Sequence, residues 1–143
     1  MRESADIRVM ARRRSSLGFL GTFGRSEDLR QLDAALRAAD LHPATVPEPA
    51  KLTIVNLMKD HFGETEPPVE AYGLVAAFFA YCLSGPEAFE RANGPEARKL
   101  VEKRMEAALD EGDGPDAQLV LLAVHANLIH PGVLSRYDID VED

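Results

Sequence analysis

The run Ala71-Tyr72-Gly73-Leu74-Val75-Ala76-Ala77-Phe78-Phe79-Ala80-Tyr81-Cys82-Leu83 carries no charged side chain. Its thirteen residues fall short of the roughly 20 that a bilayer-spanning helix requires, so it reads as the buried helix of a folded domain. Its alanines favour helix over strand. Thr65-Glu66-Pro67-Pro68 supplies a start upstream, and Ser84-Gly85-Pro86 a stop downstream.

At the 3.6-residue period this helix has two unlike faces. Tyr72, Leu74, Val75, Phe78, Phe79, Tyr81, Cys82 and Leu83 form a bulky arc, while Gly73, Ala76, Ala77 and Ala80 form a small one. Glycine inside a helix costs about 1 kcal/mol relative to alanine, so Gly73 implies a packing reason. The edge Gly73, Ala77 and Ala80 is therefore expected to receive another helix at close range. Its partner would be 116–130 or the alanine-rich 27–40 of the same chain, or a helix of a second copy.

The second apolar run is Leu119-Val120-Leu121-Leu122-Ala123-Val124-His125-Ala126-Asn127-Leu128-Ile129. Pro115, Asp116 and Ala117 open it well, which predicts a helix over 116–130 lying beside 69–83. Around this pair the pattern predicts further helices over 27–40, from Pro49 to Phe62, from Pro86 to Ala92 and from Pro95 to about Glu111, with a last turn over Val133 to Tyr137. On the helix after Pro95, Ala97, Leu100, Val101, Met105 and Ala108 are expected to face inward. Glu96, Lys99, Glu102, Lys103 and Glu106 are expected to pair on the wet side. Three Gly-Pro-acid-Ala steps, at Gly85, Gly94 and Gly114, each read as the end of one helix and the start of the next. The fold class that follows is all-α: a bundle of five to seven helices around the two central apolar ones.

With 143 residues, 45% hydrophobic and 28% charged, the chain matches one ordinary globular domain. The formal net charge of −8 is unevenly spread: residues 1–25 hold six Arg against Glu3 and Asp6, a net +4, leaving −12 for the remainder. The expected organisation is a basic flexible arm over 1–14, a helical domain over 15–137, and a frayed acidic tail over 138–143. Leu17, Phe19, Leu20 and Phe23 are expected to form a helical turn at the start of the domain. After Arg12-Arg13-Arg14 the chain is too short and polar for a secretory signal core, which points to a cytoplasmic protein.

Candidates for chemistry are few. His125 interrupts an apolar helix, and His61 falls in the apolar arc of the helix after Pro49. If they meet near Tyr81, a pocket of His61, Tyr81 and His125 would lie between helices. The competing reading makes each histidine a bonded boundary group, with His61 and His130 in last turns where the helix dipole favours a cation, and His42 solvated in a loop. His125 and His130 are five apart and miss the i, i+4 spacing of a helical metal pair. Residues 110–116 resemble a calcium loop in composition only, with Leu121 where the closing Glu belongs. Cys82, the single cysteine, reads as a small core residue. The expectation is thus no catalytic residue, no metal and no cofactor.

Nucleic acid would have to meet Arg12, Arg13 and Arg14, because the acidic remainder repels phosphate. A helix-turn-helix is disfavoured by the long loop containing Pro43 and Pro47, whose following helix offers only Lys51 and Lys59. The leading expectation is a small soluble non-enzymatic helical module acting through protein contacts, with a second copy as homodimer or with another protein. The alternatives are the His61, Tyr81, His125 pocket for a small molecule or an enzymatic reaction, and a nucleic-acid accessory role for the Arg arm.

Overall fold

The computed structural model describes residues 26–63 and 66–140. Among them the chain is all-helical, with seven α-helices, one 3-10 turn and no strand. The basic cluster Arg12, Arg13 and Arg14 and the apolar cluster Leu17 to Phe23 lie outside the described residues. Residue contacts divide the chain into two units, Met1–Gln31 and Leu32–Asp143.

Of the first unit, residues 26–31 are described. They open helix α1 (Glu27–Ala38). Ser26 is its N-cap, its hydroxyl accepting from the Leu29 N–H at 3.3 Å. The Glu27 carboxylate accepts from Arg30 and Gln31 one turn on.

The second unit begins with the remaining turns of α1, where Leu32 and Leu36 are fully buried. A 3-10 turn (Pro43–Thr45) leads to α2 (Glu48–Phe62) and α3 (Val69–Ser84), then α4 (Pro86–Asn93) and α5 (Pro95–Glu111), and finally α6 (Pro115–His125) and α7 (Pro131–Tyr137). Helix α3 packs on α4, α5 and α6, and α6 packs on α2, α3 and α5. These two apolar helices are therefore the centre of the unit, and Phe78, Phe79 and Tyr81 of α3 are fully buried. Burial of each such side chain contributes roughly 1.5–3 kcal/mol.

The Gly-Pro steps make the corners. Gly85 ends α3 and begins α4, and Gly94 ends α4 and begins α5, each with φ above +90° and ψ near 160°. That region is closed to residues with a Cβ, which is why one glycine can serve both helices without a linker. Proline follows at the first helical position, where its missing N–H costs nothing.

Helix α6 stops at His125, five residues before the predicted end. Asn127 takes a left-handed conformation (φ +60°), and the Leu128 N–H donates back to the Ala123 carbonyl at 2.9 Å. This is a helix-terminating motif in which an apolar residue follows the left-handed one. Leu128 and Ile129, which extend the apolar run in the sequence, belong to that terminator.

His130 consequently caps the next helix. Its Nδ1 accepts from the Gly132 N–H at 2.8 Å, and its own N–H donates to the Cys82 carbonyl at 2.8 Å. Where a cation at a helix C-terminus was expected, the ring instead accepts a hydrogen bond at a helix N-terminus. His42 acts alike: exposed, it accepts from the Ala44 N–H at 3.0 Å ahead of Pro43.

The small edge of α3 also differs from expectation. Ala76 and Ala80 are buried, Ala77 is half-buried and Gly73 is exposed. A Cβ placed at Gly73 meets nothing within 4 Å, so no described element lies against it. Val69 and Leu74 beside it are 64% and 60% exposed. Gly73, Ala77 and Ala80 therefore do not form one packed edge, because bulky Tyr72, Phe78 and Phe79 turn the helix so that 73 and 74 face outward.

Candidate functional site

Two places in the second unit concentrate unusual chemistry. The first is a polar network where α3, α5 and α7 meet. Tyr81, with no exposed surface, donates its hydroxyl to Glu102 Oε2 at 2.6 Å and lies 2.9 Å from the Tyr137 hydroxyl. Glu102 also accepts from Arg98 Nε at 3.0 Å and pairs with Arg136 at 3.1 Å. Arg98 reaches on to Glu90 at 2.7 Å.

Partial burial pushes the Glu102 carboxyl up, but the Tyr81 hydroxyl, Arg98 and Arg136 outweigh it and hold the group below the usual carboxylate range. Burial, then the bonds to Glu102 and Tyr137, push the Tyr81 phenol well above its ordinary value. A phenol held protonated against a carboxylate held ionised has no driving force to exchange its proton near neutrality. The arrangement is a staple that fastens α7 to α3 and α5.

This network corrects two expectations. Glu102 was assigned to the wet side, yet only 16% of its side chain is exposed. Leu100 was assigned inward, yet it is 66% exposed. The rotation of α5 follows from its long-range bonds. Glu102 is drawn to Tyr81, and Arg104 forks onto Asp116 at 2.8 and 3.0 Å while donating to the Leu74 carbonyl at 2.8 Å. The Arg104 guanidinium also covers the Phe78 ring, 4.9 Å from its centre. With Val101, Met105 and Ala108 inside, Leu100 is left facing water.

The second place is an apolar cleft of about 330 Å³ between α5, α6 and the segment after α7. Helix α6 contributes residues 117, 120, 121, 124 and 125, one face over two turns. Ala108 and Leu109 form the α5 wall, and Ile139 closes the far side. Ile139 is held there by its N–H, which donates to the Leu134 carbonyl at 2.9 Å. The acidic end is thus anchored at its start, where fraying was expected from 138 onward. Leu109 and Leu121 are 39% and 51% exposed, and the polar side chains at the rim are His125 and Asp140.

Among the described residues, His61 and His125 line different cavities and Tyr81 lines none of them. His61 lines an apolar crevice of about 50 Å³ with Leu57, Phe62 and Val75, and a shallow one with Asp60 and Gln118. His125 lines the α5–α6 cleft and, on its other side, a shallow depression near Pro47 and Thr53. Tyr81 is enclosed in its own network. Residue type alone links the three; helix rotation sends the two histidines to different crevices and Tyr81 into the core.

Lys51, one of the two lysines the helix offers to a nucleic acid, is 4% exposed and pairs with Asp33 at 3.1 Å and Glu48 at 3.5 Å. Cys82 is fully buried, and burial, with Asp116 nearby, pushes its thiol up to about 12 despite the opposing Arg104. Among the described residues no three His, Cys, Asp or Glu side chains converge as a metal site would require. Nor is any helix among them long and apolar enough to cross a membrane.

The chain matches no protein-family model, no curated protein and no solved structure. Its geometry is therefore the ground for a functional reading.

Proposed function

We propose that this protein is a non-enzymatic helical module that acts through protein contacts, with the cleft between α5 and α6 as the contact surface. The observation that carries this is a pair of leucines, Leu109 and Leu121, left in water along a preformed apolar cleft of about 330 Å³. Leaving apolar surface hydrated forfeits about 25 cal/mol per Å², which a bound apolar side chain recovers. One helical face over two turns is also the shape that receives anchors spaced i, i+3 or i+4, and i+7. The test is a titration of methyl-labelled protein with neutral helical peptides bearing leucines at that spacing. Shifts should centre on Leu109, Val120, Leu121 and Val124 and vanish in Leu121→Ser. Scattered or absent shifts would reject the cleft as a contact surface.

A second reading is a homodimer through the N-terminal half of α3, favoured by the exposure of Val69 and Leu74 around the open Gly73. It predicts a mass of two chains in light scattering that Leu74→Asp returns to one. A concentration-independent single-chain mass removes it.

A further inference from the structure

We infer that the occupant of the α5–α6 cleft is a basic amphipathic segment of a partner protein, an inference that rests on the cleft being a contact surface. The ground is charge. Asp110, Glu111 and Asp113 are exposed and adjoin, in sequence, the cleft residues Leu109 and Gly112. On the opposite side Asp140 lines the cleft beside Ile139, and exposed Asp138 precedes Ile139 in sequence. All five acids are exposed, and none forms an ion pair among the described residues. The arginines of the neighbouring elements are already held, Arg104 by Asp116 and Arg136 by Glu102.

The cleft is therefore an apolar floor with Asp140 at its rim and four further exposed acids next in sequence to its lining residues. Its α6 face covers 117 to 125, about 12 Å at 1.5 Å per residue, so it seats two or three apolar anchors of a crossing helix. At about 330 Å³ it lies at the small end of ligand sites, roughly 300–1,000 Å³, which suits a few side chains and leaves the partner backbone outside. Backbone left outside places flanking side chains opposite the acids. Lysine or arginine there gains attraction, whereas glutamate or a lipid phosphate is repelled. The same acids disfavour a second copy binding cleft to cleft, because that would bring like charges together.

The experiment uses the full chain and three peptides of equal length with identical leucine anchors, flanked by lysine and arginine, by glutamine, or by glutamate. At low salt the basic peptide should bind about tenfold or more tighter than the glutamine one, and the glutamate one weakest. Near 1 M salt, where the screening length falls to about 3 Å, the advantage should shrink to about threefold or less. The variant D110N/E111Q/D113N removes three exposed charges. It should bind the glutamine peptide as the parent does while losing most of the preference for the basic one.

Equal binding of all three peptides at low salt would overturn the charge inference and leave the contact surface standing. Cleft methyls unmoved by any peptide would overturn both. Concentration-dependent doubling of mass with cleft shifts and no peptide present would replace the basic partner by a second copy.

Discussion

The Tyr81 network and the α5–α6 cleft meet α5 about two turns apart, at Glu102 and at Leu109, and solve opposite problems. In the network, polar groups sit where water is scarce, and each finds a partner: Tyr81 with Glu102 and Tyr137, Arg98 with Glu90 and Glu102. In the cleft, apolar groups sit where water is plentiful, and Leu109 and Leu121 find no cover among the described residues. Satisfied polar groups inside hold a fold together; uncovered apolar groups outside hold stability in reserve for a partner. The difference teaches where to look for function in a chain whose most conspicuous titratable cluster serves structure.

The largest effect should come from breaking the network at its hub. Glu102→Ala leaves the Tyr81 hydroxyl and two arginines without their shared acceptor, and should lower unfolding stability by about 3 kcal/mol in urea titration. A loss under about 0.5 kcal/mol would mean that water substitutes freely and that the staple is ornamental. Asp33→Leu tests the same logic at buried Lys51 and should cost about 2 kcal/mol, because Glu48 remains as a second partner. Tyr81→Phe, which removes a single hydroxyl, should cost about 1 kcal/mol.

Acid and alkali sharpen the contrast further. Glu102 has a folded-state pKa below its unfolded value, so its stabilisation is present above the unfolded carboxylate value, about 4.3, and is lost as pH falls through the lower folded one. Tyr81 is shifted the other way: its contribution is complete below about pH 10 and lost as pH rises beyond it. Glu102→Gln should flatten the acid limb of stability against pH, and Tyr81→Phe the alkaline limb. Unchanged limbs in both variants would remove the network from the pH profile.

The smallest stability effect is expected at the cleft. Leu121→Ser should change unfolding stability by no more than about 0.5 kcal/mol, since a half-exposed side chain is removed, yet it should abolish peptide binding. A loss of about 2 kcal/mol instead would show that Leu121 belongs to the core, and the comparison would collapse.

Much of the frame was legible because local chemistry dictates it. Ser26 caps α1, Gly63 closes α2, and the three Gly-Pro steps lie at helix boundaries, each for reasons contained within a few residues. The misreading at the end of α6 has a local cause as well. Asn127 was the available signal, hidden because Leu128 and Ile129 prolong the apolar run while serving the terminator. His42 and His130 each precede proline and cap the helix that follows, a shared pattern visible in the chain once its role is known.

Helix rotation was not legible. Leu100 and Glu102 are two residues apart, and nothing local says that the acid turns inward and the leucine outward. That choice is made by Tyr81, 21 positions away, and by Asp116, twelve positions from Arg104. Gly73 is the same case on α3, where the bulk of neighbouring rings decided which side of the small arc would be covered.

By itself, then, the sequence determined the class of fold, the pairing of its two apolar helices and nearly every helix boundary, because periodicity, propensity and capping act over one or two turns. The tertiary structure alone decided which face of each helix meets water, which buried charges find partners, and that Leu109 and Leu121, far apart in the chain, line one cleft. Those outcomes depend on contacts between residues far apart in the chain, where the energy of a single bond to a distant partner outweighs the weak local preference for one helix orientation over another.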